Sequence, residues 1–587
     1  MATDTSAEEK PQRPGAGPLS AEPQGFLCPE RLAADRWLAL LVFALSFAYL
    51  WMFRRYTAID PDEGIILQGA QRVLEGQVLY RDFFSFLTPG SYYFLALVFR
   101  IFGSSMVVAH TVLVVYGALF SVFTFLMARR VCQRWVSLAM ALLATTTCLP
   151  WRFLTLHNWD STLWTCASVY CAIWLVQKPH WGWAFAAGTF ASLTALFEQS
   201  KGAGLILGLG LGFVILHWLG EQGGRLKNRC WVALAAGLAW PLVPVFLYFG
   251  VHHALPAMLR DWVWPLQHYS AVNRVGYGYQ DWSNASRRRM FGSGPWLARA
   301  VAFFSVIPCF IIPVLPLIAI ILLIYWTSQA RKGILRGNRA AYYIVTCSCM
   351  AGLLTSIIVA RPNIIHFVHL SPIYYLVLAW TIEGTDIHGE LIRPLRPVWT
   401  GLVLTTFLTV GMAFLMVMRN AKSVIRTRRG VLLGKSSDAV VSYLDAHVPA
   451  GSKILVYPYM PIFYYLTATF SPTRFEYIQP GMHTRRQLRE VIQEVSRDGT
   501  PAVLLDLSFV EKIPPSWPST PLRDIAYDPV TDFILSHYHP CKLLVSGAGD
   551  SWRYEFMVRN GLPCSEPYPK SQTRSTRNNS DYPQNHD

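Results

Sequence analysis

Charge is scarce in this chain. Of 587 residues, 15% are Asp, Glu, Lys or Arg, and 53% are hydrophobic. A soluble globular chain carries about 25% charged residues. The deficit excludes an ordinary water-soluble enzyme and marks a chain that crosses a bilayer many times, so length is a poor guide to its domain count. Metal-ligand spacing is also missing. The 11 cysteines are scattered, mostly inside apolar runs, with no CxxC pair and no Cys/His pattern, and they read as small apolar helix residues. Cys541 and Cys564 differ: they fall in polar C-terminal sequence and are able to pair if that part faces an oxidising compartment. No internal repeat of the kind found in transporters is visible. Residues 1–33, rich in Pro, Ala, Glu and Gly, read as a disordered cytoplasmic N-terminus. They do not fit a cleaved signal peptide, because charge precedes the first apolar run and no small-residue cleavage site follows it.

What is abundant is apolar length. A span needs about 20 residues, and eleven runs qualify: 36–53, 104–128, 135–151, 159–177, 181–198, 202–219, 230–254, 296–326, 339–360, 364–383 and 398–418. Residues 89–103 are apolar but short and bounded by Pro and Gly, which predicts an interfacial helix. The net charge of +16 does not point to nucleic acid, because the basic residues sit in short loops. With the N-terminus inside, the inner loops hold Arg129, Arg130 and Arg134; Lys178; Arg225, Lys227 and Arg229; Arg331, Lys332, Arg336 and Arg339; Arg393 and Arg396. All of these loops are basic, as the positive-inside rule requires. The 296–326 run reads as one tilted or proline-broken span; two spans would move everything after it to the other side.

This count predicts a polytopic α-helical protein of the cell (inner) membrane, with a membrane domain over 34–420 and a first outer loop over 54–103. A small extracytoplasmic, periplasmic α/β domain is expected over 435–565, and a polar, disordered tail over 566–587. Within 435–565, "SKILVY" reads as a strand. "QLREVIQEVSRDG" reads as a helix with Leu488, Val491, Ile492 and Val495 on one face, and "PAVLLDLS" as a buried strand.

The outer face then collects polar residues from distant segments. "DPDEG" places Asp60, Asp62 and Glu63 ahead of a helix whose apolar stripe is Ile66, Ala70, Val73 and Leu74, with Gly76 as its stop. Local sequence alone reads these acids as an N-cap and first-turn charge. Asp160 stands at the outer end of the 159–177 span, where an acid costs about 2.5–3.5 kcal/mol to insert and therefore marks function. Glu198 and Lys201 stand at the next outer turn, where an ion pair closing a tight loop is the plainer reading. Arg361, His366 and His369 follow in "RPNIIHFVHL". Acids, cations and imidazoles on one membrane face suit a substrate with an anionic headgroup and a lipid tail. Cations would hold phosphate, and a carboxylate would take a proton from an attacking hydroxyl.

At these residues the sequence resembles the GT-C superfamily of membrane glycosyltransferases, in particular the lipid A aminoarabinose transferases and the protein O-mannosyltransferases. The resemblance rests on Asp62–Glu63 opening a first-loop helix, on "GQVLYRDFFSFLTPGSYYFLALVFRIFG" after it, on Asp160, and on Lys201–Gly202, and it covers about residues 36–385. It implies transfer of a sugar from a polyprenyl-phosphate donor to a lipid, glycan or protein acceptor on the outer face. Asp62 would be the general base or acceptor-orienting group, joined by Glu63 and Asp160. Arg81, Lys201 and Arg361 would hold the donor phosphate, and Glu198, His366 and His369 would line the substrate. A divalent cation is an optional cofactor. One departure stands out. Where the aminoarabinose transferases carry Lys-Pro-Pro, "FLTPG" has Leu87 and Thr88, so the phosphate and any metal near that motif need another holder. The rival readings are a flippase for lipid-linked sugars and a membrane-anchored binding protein.

Overall fold

The computed structural model describes residues 29–220, 226–269, 272–280, 292–383, 396–546 and 552–565. The expectations for residues 1–28, Arg225, Arg393 and the 566–587 tail lie outside them. The chain opens with α1 (Pro29–Trp51), a short α2 (Pro61–Leu74) and α3 (Gly90–Phe102), then α4 (Met106–Ala128), α5 (Arg134–Thr147), α6 (His157–Gln177), α7 (Trp181–Phe197) and α8 (Gln199–Leu219). It continues through α9 (Asn228–Ala239), α10 (Leu242–Val251), α11 (Leu255–Trp264), α12 (Trp296–Ile311), α13 (Leu315–Arg331), α14 (Gly337–Ala360), α15 (Ile364–His369), α16 (Ser371–Glu383) and α17 (Arg396–Asn420).

Seven stretches among the described residues are long and apolar enough to cross a membrane: Ala34–Trp51, Met106–Ala128, Gln199–Leu219, Asn228–Val251, Ala302–Arg331, Gly337–Ala360 and Arg396–Asn420. The other four runs read as spans from sequence are helical too, but shorter or more polar. In α6 the residues Asn158, Asp160, Ser161, Thr162, Thr165 and Ser168 are all buried inside the bundle, and the 364–383 run breaks into two helices at Leu370. The helix over the 296–326 run is interrupted at Ile312–Val314, between α12 and α13. Gly90–Phe102 is a 13-residue apolar helix, too short to span.

Small residues bring α8 and α14 together. A Cβ on Gly204 would lie 2.4 Å from the Gly352 carbonyl oxygen, and one on Gly208 would lie 2.6 Å from that of Ser348. Close approach of this kind is how helices gain packing energy where lipid supplies no hydrophobic drive. It fixes the first turn of α8, which carries Lys201.

The C-terminal part is a small α/β domain. A hairpin, β1 (Ser423–Thr427) and β2 (Gly430–Gly434), leads to α18 (Ala439–His447), β3 (Leu455–Tyr457), α19 (Ile462–Thr467), α20 (Arg485–Asp498) and β4 (Ala502–Asp506). Then come α21 (Phe509–Ser516), α22 (Leu522–Ala526), α23 (Pro529–His537), β5 (Tyr538–Ser546) and β6 (Trp552–Arg559). The four-stranded sheet has the order β3-β4-β6-β5; β3 and β4 run parallel, and β4–β6 and β5–β6 antiparallel. Strand β4 is buried at every position, and α20 buries Leu488, Val491 and Val495, with Ile492 partly covered. Cys541 and Cys564 form a disulfide, Cα–Cα 5.6 Å.

This domain is seated on the first loop. Leu433 N donates to Arg55 O at 2.7 Å, Thr57 N to Leu433 O at 3.0 Å, and Phe84 N to Arg474 O at 3.0 Å. The tightest approach is at Gly64 in α2, where a Cβ would fall 2.1 Å from Ile462 N at the start of α19. Backbone cannot yield there without shifting α19, and overpacking typically costs about 1–3 kcal/mol. Gly64→Ala is therefore expected to loosen the domain's seat and to speed limited proteolysis near residues 420–435 about tenfold. Cleavage at the wild-type rate would show that α19 accommodates the methyl.

A buried ion pair spans the same junction. Arg72 of α2 meets Glu476 at 3.7 Å and lies over the Phe83 ring at 4.6 Å. Burial raises the Glu476 carboxyl to about 7, against the pull of Arg72. Its folded-state value thus exceeds its unfolded one, so its contribution is complete below about pH 4.5 and is lost as pH rises through about 7. Glu476→Gln should flatten the fall in thermal stability between pH 5 and pH 7.5 in detergent; an unchanged slope would mean the fall has another origin.

Candidate active site beneath the C-terminal domain

The site begins with the cap of α2. Asp60 is its N-cap, accepting from Asp62 N at 3.0 Å, with Pro61 at the first helical position. This geometry turns Asp62 outward and Glu63 inward. Asp62 Oδ2 accepts from Arg152 Nη2 at 2.8 Å, and Asp62 Oδ1 accepts from the Tyr459 hydroxyl at 2.7 Å. The Asp62 side chain nevertheless stays 40% exposed. Arg152 also reaches Asp60 Oδ2 at 3.2 Å. Burial pushes the Asp60 carboxyl up to about 6, with Arg152 opposing and Asp62 adding to the rise.

Arg152 ends a single 3-10 turn, Leu149–Arg152, in the connection from α5 to α6. Its carbonyl accepts from Trp159 Nε1 at 2.9 Å, and its own Nε is buried with no hydrogen-bond partner. Tyr459 comes from the loop between β3 and α19, where its ring packs edge-on against Tyr477 and Trp517.

Glu63 does not reach this opening. It is fully buried, its Oε1 2.7 Å from His110 Nε2 and accepting from Thr155 N at 2.7 Å. His110 Nδ1 lies 3.0 Å from the Arg54 carbonyl. The group is a clamp between α2, α4 and the Arg152 loop.

Asp160 is buried in the first turn of α6, accepting from Ser91 Oγ at 2.5 Å, with the Tyr116 hydroxyl beside it. Lys201 is buried as well. Its ammonium pairs with Glu198 Oε2 at 2.9 Å and donates to Asn158 O at 2.9 Å, Ser161 Oγ at 2.8 Å and Thr162 Oγ1 at 3.2 Å. Three N–H groups face four acceptors, and all of them are engaged inside the protein. Glu198 additionally accepts from Ser161 Oγ at 2.7 Å and Asn158 Nδ2 at 3.1 Å.

Arg361, the C-cap of α14, donates to Asn273 Oδ1 at 3.2 Å and to the Ser516 carbonyl, tying the bundle to the domain. Asn363 holds His366 Nδ1 at 2.6 Å. His369 is buried with its ring edge-on to Trp159, centroids 4.5 Å apart. These groups form one electrostatic neighbourhood: His157 feels Glu198, Lys201 and Asp62, and Tyr269 feels Arg361, Asp62 and Glu198. Arg81 stands apart. It is 44% exposed and paired with Asp82 at 2.8 Å, near Tyr93 and Tyr248, and among the described residues no hydrogen bond or ion pair links it to Asp62.

The sequence reading passed over Arg152 and Tyr459. Arg152 had a signal, since it is a cation in a loop assigned to the acid-rich outer side and so breaks the charge rule. Tyr459 had none, because its partner is 397 residues away. At Leu87 and Thr88, where a Lys-Pro was missed, both side chains are buried, so the first loop supplies no cation there.

Residues 87–251 match the family model described as dolichyl-phosphate-mannose-protein mannosyltransferase. Among solved structures, the chain is similar to ArnT from Cupriavidus metallidurans bound to undecaprenyl phosphate, at 14% identity and a TM-score of 0.44, over 93% of this chain and 100% of that one. It is also similar to the archaeal oligosaccharyltransferase AglB from Archaeoglobus fulgidus in complex with an inhibitory peptide and a dolichol-phosphate, at 11% identity and a TM-score of 0.46, over 90% and 75%. No curated protein matches the chain by sequence. The family match spans the loop of Arg152 together with Asp160, Glu198 and Lys201, and over that stretch the chain is similar to the mannosyltransferases, in line with the GT-C resemblance read from its sequence.

Proposed function

We propose that this protein transfers a sugar from a polyprenyl-phosphate donor to a hydroxyl acceptor at the outer face of the membrane, with Asp62 as the general base. The observation that carries the reading is the state of Asp62. Among the acids singled out from the sequence as catalytic, Glu63 and Asp160 are buried and bonded internally, whereas Asp62 is held by Arg152 and Tyr459 and is still open on one side.

The acceptor oxygen attacks the anomeric carbon while its proton passes to the Asp62 carboxylate. The bond from that carbon to the phosphate oxygen breaks, and its electron pair stays on the polyprenyl phosphate. The leaving phosphate is already a stable anion, so a base of ordinary carboxylate strength suffices. Arg152, whose guanidinium stands beside Asp62 and is about a quarter exposed, would offset the departing charge. Lys201 and Glu198, bonded to each other and to α6, share His157 as a neighbour with Asp62.

Arg152 bridges Asp60 and Asp62 in the place a divalent cation between the two carboxylates would take, so such an ion would have to displace it. Among the described residues, the clustering of metal-type ligands is His539 with Cys541 and Cys564, whose thiols are joined in a disulfide.

The basic inner loops and the disulfide in the C-terminal domain support an outer, oxidising location for the site. Mass spectrometry of lipid-linked and cell-surface glycans, with and without the gene product, tests the function. The reading expects one surface glycan to lose a sugar and the matching polyprenyl-phosphate sugar to accumulate. Unchanged glycans with an unchanged lipid pool would refute it.

A further inference from the structure

We infer that Tyr459 is a positioning residue for Asp62, delivered by the C-terminal domain, so that the active site is complete only when that domain is docked. The inference rests on the reading of Asp62 as the base. A carboxylate held by one partner swings about that bond. Here Arg152 fixes Oδ2 from the membrane domain and Tyr459 fixes Oδ1 from the C-terminal domain, at 2.8 and 2.7 Å. Two fixed oxygens set the plane of the carboxylate and aim its remaining lone pairs at the exposed side, where an acceptor hydroxyl arrives. Misplacing a catalytic group by about 1 Å can cost about 10²-fold in rate.

The placement of Tyr459 is built into the fold. It lies three residues before α19, and α19 rests on α2 at Gly64, two residues after Asp62. The same contact that seats the domain therefore sets the distance between the phenol and the carboxylate. Tyr459 is itself buried, wedged edge-on between Tyr477 and Trp517, with ring centroids 5.2 and 5.4 Å away. Arg361 reinforces the arrangement from the other side by donating to the Ser516 carbonyl, next to Trp517.

The titratable groups facing Asp62 are Asp60 at the cap of α2, Arg152 and His157 from the α5–α6 side, Tyr269, and Tyr459 and Tyr477 from the domain. Tyr459→Phe removes only the donated hydrogen bond and leaves the ring contacts in place. It is expected to lower kcat about 10- to 100-fold and to leave KM for the donor within about twofold, as loss of aim without loss of binding requires.

The test compares wild type, Tyr459→Phe and Asp62→Asn in the full-length, detergent-solubilised protein. If Asp62→Asn is inactive while Tyr459→Phe shows the wild-type kcat, the inference about Tyr459 is wrong and the assignment of the base stands. If Asp62→Asn turns over like wild type, the base assignment fails. If Tyr459→Phe yields less folded protein, kcat per folded molecule, counted on the monodisperse size-exclusion fraction, still decides: a fall in kcat at an unchanged donor KM supports the positioning role, and a wild-type kcat overturns it.

Discussion

Asp62→Asn is expected to remove glycosyl transfer by about 10³-fold, within the range of about 10²–10⁴ that general-base catalysis contributes, while the protein still folds and inserts. The two effects separate because of where Asp62 sits. Its side chain is 40% exposed, and the cap of α2 belongs to Asp60, so the helix keeps its start. Asn retains the shape and can accept from Tyr459, but it cannot take a proton and it turns an amide N–H₂ toward either Arg152 or the phenol. The check is kcat with a polyprenyl-phosphate sugar, alongside size-exclusion behaviour and thermal stability. Wild-type turnover by a correctly folded Asp62→Asn protein would remove Asp62 from the mechanism.

Lys201→Met is expected to act on the fold first. It leaves the Glu198 carboxylate, 7% exposed, without its ammonium partner among the buried groups of α6. Breaking a buried pair by removing one member typically costs about 3–5 kcal/mol, because an uncompensated charge remains, whereas replacing both members is often nearly neutral. The double variant Glu198→Gln with Lys201→Met should therefore regain most of the folded yield that Lys201→Met loses. Thermal unfolding in detergent measures both. A Lys201→Met protein as stable as wild type but without donor binding would show that Lys201 holds the phosphate directly, as the sequence pattern implied, and that its internal bonds to Asn158, Ser161 and Thr162 are not what fixes it.

These two residues show what the sequence could and could not convey. The membrane class followed from the low charge and long apolar runs, and the short helix Gly90–Phe102 from its Pro and Gly bounds. The domain's β4 and α20 followed from a continuous apolar run and a clean helical stripe. The grouping of Asp62, Glu198, Lys201 and Arg361 was legible through topology, because basic loops fixed which ends of the helices lie together. Side-chain direction was not. Glu63 follows Asp62 directly, yet one turns outward and the other inward, and only the partners His110 and Thr155 decide this. Arg81 had the right charge in the right loop, but its neighbour Asp82 takes both of its hydrogen bonds. Lys201 matched the pattern of a phosphate ligand, although its donors point into α6. Tyr459 and Gly64 act through a contact between segments about 400 residues apart, for which a single sequence holds no periodic or spacing signal.

The central claim is glycosyl transfer from a lipid phosphate, as opposed to transport of an intact lipid-linked sugar. Proteoliposomes carrying the full-length protein, a polyprenyl-phosphate sugar and an acceptor extract test it most directly, with mass spectrometry following both lipid and product. The account predicts that glycosylated acceptor and free polyprenyl phosphate appear together in equal amounts, and that neither appears with Asp62→Asn. Passage of the intact polyprenyl-phosphate sugar from one leaflet to the other, with no new glycosidic bond and no free polyprenyl phosphate, would contradict it.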